Sequence, residues 1–189
     1  MSPTGNSQQA DRVRLICLAC SQENLERYRA WSHALSDHIE LIAVDVQREA
    51  ECTPSDLLQP PTPVAQALFS RLQVFLGKPH ALFGQHWGAH MAFQVAQLAE
   101  RSHPGQTRRL FVSGCDSPEA PPPGALDPAL SIPVTALYPP GALPRMLGWH
   151  AFAQRELELI ELAQHDGDPG SQDQRLLRII NTHLGLLSF

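Results

Sequence analysis

The sequence predicts an α/β fold, with a mainly parallel sheet covered by helices on both faces. Three observations carry this expectation. Short, bounded apolar runs such as Val13-Arg-Leu-Ile-Cys-Leu-Ala19 read as buried strands. They alternate with segments whose apolar residues return at helical spacing. The length of 189 residues, 43% of them hydrophobic and 17% charged, suits one globular domain with a sizeable core. No internal repeat, heptad run or second domain is visible.

Taken in order, Met1 to Asp11 is polar and has neither the basic nor the apolar region of a signal peptide, so it reads as a flexible leader to a single domain spanning 12–189. Val13–Ala19 is the first strand. Cys20 to Asn24 reads as a polar turn, with Asn24 able to cap a helix over 25–35 whose apolar face is Leu25, Tyr28, Trp31 and Leu35. Ile39–Val46 is the second strand. After a polar stretch, Gln47 to Pro63, a helix over 64–76 carries Val64, Leu68, Leu72 and Phe75 on one stripe. Ala81–Phe83 is a third strand, followed from Trp87 by a helix with Met91, Val95 and Leu98 at helical spacing. Arg108–Gly114 is another strand. The segment from Cys115 to Ser131 holds Pro118, Pro121, Pro122, Pro123 and Pro128, and so cannot be helical throughout. A strand over 132–138, a helical stretch over 143–154, a strand over 157–162 and a closing helix over 172–187 complete the pattern.

Composition narrows the partners. A net charge of −5 gives no footprint for nucleic acid or an anionic membrane surface. No apolar run approaches the ~20 residues of a membrane span. Four cysteines, Cys17, Cys20, Cys52 and Cys115, are too few for a disulfide scaffold, so the expected compartment is a reducing cytoplasm. Cys17-x-x-Cys20 invites a redox or metal reading, but residues three apart on a strand face opposite sides, and no second pair exists. These read as buried thiols.

The chemistry concentrates at Gly84-Gln85-His86-Trp87-Gly88, between the third strand and its helix. This is the spacing of the G-x-S-x-G nucleophile elbow, in which a strained strand-to-helix turn lifts one side chain above the sheet. The glycines suit a place where strand and helix nearly touch. The residue at the crest is His86, where a hydrolase carries serine.

With the surrounding stretches, the chain resembles the type II thioesterases of nonribosomal peptide and polyketide pathways, which are α/β-hydrolases. Leu18-Ala19 followed by Tyr28-Arg-Ala-Trp31 is similar to that family's first strand, oxyanion turn and following helix. Ile39-Glu-Leu-Ile-Ala-Val, Ala81-Leu-Phe-Gly and Leu110-Phe-Val-Ser-Gly resemble its next strands. Pro133-Val-Thr-Ala-Leu-Tyr138 resembles the strand before the usual acid, and Trp149 a tryptophan in the helix after it.

The departures fall where chemistry occurs. His86 replaces the serine, so ordinary serine thioester hydrolysis is expected to be lost. The Gly-rich oxyanion turn is Cys20-Ser-Gln-Glu-Asn24, and no carboxylate follows Tyr138 in Pro139-Pro-Gly-Ala-Leu143. Only a Pro-rich connection stands where relatives insert a helical lid, so the lid is expected to be missing and the mouth wide, or filled by Leu126, Leu130 and Trp87.

The resemblance implies His165 as the base and, just past the strand ending at Gly114, Asp116 as the acid that orients it. It implies Trp87, Ala19 and Cys20 around the oxyanion, with the Trp87 backbone N–H as one donor. An imidazole is no simple substitute for serine: an acyl-imidazole hydrolyses, but histidine is larger at a tight turn. Three alternatives stay open. The chain is a non-catalytic partner of a synthetase or carrier protein, or His86, Asp116 and His165 hold a divalent metal, or the histidines act as acid and base on carrier-bound thioesters without a covalent step. No cofactor is required by the sequence itself; phosphopantetheine would arrive with the substrate, on an acyl or peptidyl carrier protein. Cys20 and Cys115 are surrogate nucleophiles to check. His90, one helical turn after His86, either lines the same rim or packs under the Pro-rich connection. Glu158 and Glu161 are expected to face solvent.

Overall fold

In the computed structural model, which describes residues 12–49, 62–119, 129–163 and 169–185, every strand pairing is parallel. The strands are β1 (Val13–Ala19), β2 (Ile39–Asp45), β3 (His80–Gln85), β4 (Thr107–Ser113), β5 (Val134–Tyr138) and β6 (Leu157–Glu161), in the order β2-β1-β3-β4-β5-β6. The chain moves from β1 outward to β2, then returns to lay β3 on the other side of β1. That reversal leaves a crevice at the carboxyl ends of β1 and β3, where open α/β sheets place their ligands. The edges are β2 and β6. The expected leader, Cys52, most of the Pro-rich connection including Leu126, and His165 lie outside the described residues.

Helices cover both faces. α2 (Pro63–Leu76), α3 (Trp87–Ser102) and the short α4 (Leu143–Met146) pack on one side, around Ile16, Leu18, Leu82, Leu110 and Val112. α1 (Gln22–Ala30) and α5 (Pro169–Gly185) pack on the other, around Leu15, Cys17, Phe83 and Phe111. Alternate residues of each inner strand feed opposite cores. Cys17 therefore belongs to the α1/α5 side while Cys20 packs on the α2/α3 side, as strand spacing requires. No helix among the described residues is long and apolar enough to cross a membrane.

Two of the departures from the expected boundaries have a visible local cause. The first helix begins at Gln22 because Ser21, not Asn24, is the cap: its hydroxyl accepts the Asn24 N–H at 3.1 Å. The stretch expected to be helical over 143–154 is one α-turn followed by a 3-10 segment, Leu147–Phe152. Gly148 is pressed against the loop after β4, where an added Cβ would lie 2.1 Å from Ser117 Oγ. Trp149 is sealed beneath it, donating from Nε1 to the Cys115 carbonyl at 3.1 Å and meeting Phe93 edge-on at 5.6 Å.

One side chain expected to face solvent is built into the sheet. Glu158 does not face solvent freely: it is half-buried and accepts from Thr135 Oγ1 at 3.2 Å and from His183 Nε2, with Arg109 at 3.5 Å. Its neighbours on β5 and α5 supply donors that a one-strand reading does not reveal. Glu161 is exposed, as expected.

His80, buried at the start of β3, donates from Nδ1 to the Lys78 carbonyl at 2.8 Å and accepts from Thr107 Oγ1 at Nε2, 2.9 Å away. A ring that donates at Nδ1 and accepts at Nε2 is neutral. Burial lowers its pKa from 6.5 to about 4. Between these values the unfolded chain binds the proton and the folded one does not, so stability falls as the pH drops through that window. The expected loss is on the order of 3 kcal/mol. Urea titrations at several pH values should show this slope in the native protein, and a shallower one in His80→Asn.

Candidate functional site

The elbow is held by contact between backbones. A Cβ on Gly84 would lie 2.1 Å from the carbonyl oxygen of Gly88, and one on Gly88 would lie 2.6 Å from that of Leu18. Neither position admits a side chain, so β3 runs straight into the first turn of α3. His86 absorbs the turn at φ 52° and ψ −122° and is the only non-glycine residue at positive φ among the described residues. Such a conformation costs about 1–3 kcal/mol and survives only where its surroundings over-determine it. Here they do: the His86 N–H donates to Ser113 O at 3.0 Å, and the His86 carbonyl accepts from Ala89 N at 3.0 Å.

The imidazole fits because of Gly114. That residue directly follows β4, at φ +58°, and a Cβ on it would sit 3.0 Å from His86 Cε1. Its carbonyl faces His86 Nδ1 at 2.9 Å. The larger side chain thus lies along bare backbone rather than against a neighbour, and it is exposed at the rim.

The expected oxyanion residues stand at the crevice. Trp87 opens α3, so its amide has no acceptor within the helix; its side chain is half-buried against the α2/α3 core. Ala19 ends β1, with its carbonyl accepting from Val46 N at 2.8 Å. Cys20 follows, with Sγ 3.1 Å from the point a Gly88 Cβ would occupy. Only Cys20 and Ser21 separate β1 from α1, so the turn is tight. Burial, with Asp45 adding to it, pushes the Cys20 thiol up to about 12, and burial with Asp116 does the same for Cys115. Both are protonated at neutral pH, which removes them as surrogate nucleophiles.

Asp116, expected as the orienting acid or a metal ligand, is exposed and lies 3.7 Å from Arg145 Nε. The acceptor for His86 Nδ1 is a main-chain carbonyl, and whether Asp116 reaches His165 lies outside the described residues. His90 is half-buried, and desolvation lowers its pKa while Asp116 opposes the shift. Among the described residues no three His, Cys, Asp or Glu side chains are grouped to hold a metal ion; His165 is outside that set. Leu130, expected to fill the mouth, is fully buried in the α2/α3-side core. A shallow depression of about 200 Å³ lies not at the elbow but along the far end of α3, between Gln97, Arg101 and Ser131.

One bridge escaped the sequence reading. Arg27 on α1 donates to Gln85 Oε1 at 2.5 Å, so it grips the residue before His86. It also lies 3.6 Å from Asp173 on α5, whose carboxylate accepts from Trp31 Nε1 at 3.0 Å. The guanidinium rests over the Tyr28 and Trp31 rings at 5.4 and 5.6 Å. The last helix and the elbow are thereby joined through α1.

The thioesterase-domain family profile matches residues 14–137. The chain belongs to the thioesterase domain family. Gramicidin S biosynthesis protein GrsT of Aneurinibacillus migulanus is 25% identical over 120 residues, covering 61% of this chain and 45% of that protein. The medium-chain S-acyl fatty acid synthase thioesterase of Anas platyrhynchos is 27% identical over 111 residues, covering 57% and 43%. The chain thus spans less than half the length of these two relatives. Among solved structures, the type II thioesterase BorB from the borrelidin biosynthetic cluster superposes with a TM-score of 0.73 at 20% identity, over 92% of this chain and 93% of that one. RedJ, the thioesterase of the prodiginine pathway in Streptomyces coelicolor, gives 0.66 at 23% identity, over 90% of each chain. At these identities the superpositions establish the α/β thioesterase fold.

Two expectations about the elbow can be measured. Gly84→Ala should cost at least ~3 kcal/mol or prevent folding, since both clashing partners are backbone. His86→Gly should be more stable than His86→Ala by about 1 kcal/mol in chemical denaturation, because glycine alone relieves the strained φ.

Proposed function

We propose that this thioesterase-family protein works beside a nonribosomal peptide or polyketide assembly line and acts on acyl or aminoacyl thioesters presented on a carrier protein's phosphopantetheine arm, without a serine acyl-enzyme. The observation that carries this reading is the elbow itself. Its strained turn is kept at full cost, yet the group at its crest is an exposed, hydrogen-bonded imidazole. The packing of Gly84 on Gly88 raises whatever residue stands at position 86 to the rim, and the residue raised here is one that can take and give a proton. The kinship with GrsT, a gramicidin S biosynthesis protein, supports the setting.

In this reading the Trp87 amide, at the positive end of α3, faces the developing oxyanion. His165, in the place the family resemblance gives its base, serves proton transfer, and a cytoplasmic location follows from the setting. A second reading, a non-catalytic partner of a carrier or synthetase, draws on the position of the depression at the far end of α3.

Incubation with a panel of acyl- and aminoacyl-carrier proteins, followed by intact mass, separates the two. Release or conversion that is abolished by His86→Ala and slowed at least tenfold by His165→Ala is the expected result. Carrier binding without turnover would support the second reading, and neither binding nor turnover would overturn both.

A further inference from the structure

We infer that His86 is a nucleophile: its Nε2 attacks the thioester carbonyl and carries the acyl group. The basis is the partner of the other ring nitrogen. A carbonyl oxygen can only accept, so the 2.9 Å contact with Gly114 O requires Nδ1 to bear the proton. In the neutral ring, Nε2 is then left with its lone pair. Nδ1 is turned against the Gly114 backbone and the residue is exposed, so the lone pair is presented at the rim. A histidine side chain free in water favours the opposite, Nε2–H tautomer. The end of β4 thus selects the form that can attack.

The same contact bears on the second half of the reaction. Attack of Nε2 on RCO–SR′ forms the N–acyl bond and breaks the C–S bond, and the electron pair leaves with sulfur as R′S⁻. The ring, still protonated at Nδ1, is now an acylimidazolium. Water adds to the acyl carbon and the C–N pair returns to Nε2. Of the protons released, one goes to R′S⁻, giving RCOOH and R′SH overall. Neutral imidazole, which departs from an acylimidazolium, is a better leaving group than the imidazolate that would depart from a neutral acylimidazole, the species formed if Nδ1 loses its proton. The Gly114 carbonyl, by accepting that proton's hydrogen bond, favours the reactive form. It acts through His86 and is a positioning group. The substrate class follows: esters with a thiolate or an equally weak base as leaving group, since imidazole returns an alkoxide's acyl group unproductively.

This inference goes beyond the carrier reading and is tested without any carrier. The protein and its His86→Gln and His150→Gln variants are mixed with p-nitrophenyl acetate, and the burst of p-nitrophenol is followed in stopped flow together with the ultraviolet absorbance of the transient acylimidazole. His150→Gln, which removes an exposed histidine, should keep both signals. Nitrogen NMR of the rings should find His86 in the Nδ1–H form. His86→Gln, which keeps a side-chain amide for Gly114 O, should lose the burst of p-nitrophenol with its fold intact by circular dichroism. A burst that His86→Gln retains, or that His150→Gln loses equally, or an Nε2–H ring, would overturn the inference whatever the outcome with carrier proteins.

Discussion

The structure around the site depends on one contact, the approach of the Gly84 Cα to the backbone of Gly88. Because β3 and α3 touch there with no side chain between them, the chain has a single residue in which to reverse direction. That residue must take a positive φ whatever its identity, and its side chain must project above the sheet. Gly88 in turn lies against the carbonyl of Leu18, so the first turn of α3 is seated on the end of β1. The crevice between β1 and β3 and the crest that overlooks it are two results of the same packing.

Much of this was legible in the chain itself. A strand buried on both faces leaves an unbroken aliphatic run, and Val13–Ala19 is a strand over the very residues expected. The elbow was readable because its two glycines stand at a fixed spacing and Gly84 meets the backbone of Gly88 within five residues. What escaped notice involves partners distant in sequence. Ser21 rather than Asn24 caps α1, since either side chain can do so and only the path out of β1 decides between them. Glu158 looks like a solvated strand residue until α5 brings His183 to it.

The site divides along the same line. His86 at the crest follows from local spacing, but the way an imidazole is accommodated does not. That depends on Gly114, which directly follows the neighbouring strand and supplies both the space and the acceptor. Asp116, two residues on, stands exposed beside Arg145, a partner that spacing along the chain does not reveal. The Arg27 bridge leaves no signature at all, because Gln85, Asp173 and Trp31 meet only once three elements have packed.

The borders of the sheet have an implication of their own. On β2 the outer strand carries Glu40 and Asp45, and on β6 it carries Glu158 and Glu161. An unprotected strand border is a template on which another chain can crystallise its own backbone. Here both borders bear carboxylates, while the arginines that answer them sit further in, Arg14 one strand inward on β1 and Arg109 two strands inward on β4. Two copies brought border to border would confront acid with acid, so the fold carries its own guard against growing into a fibre.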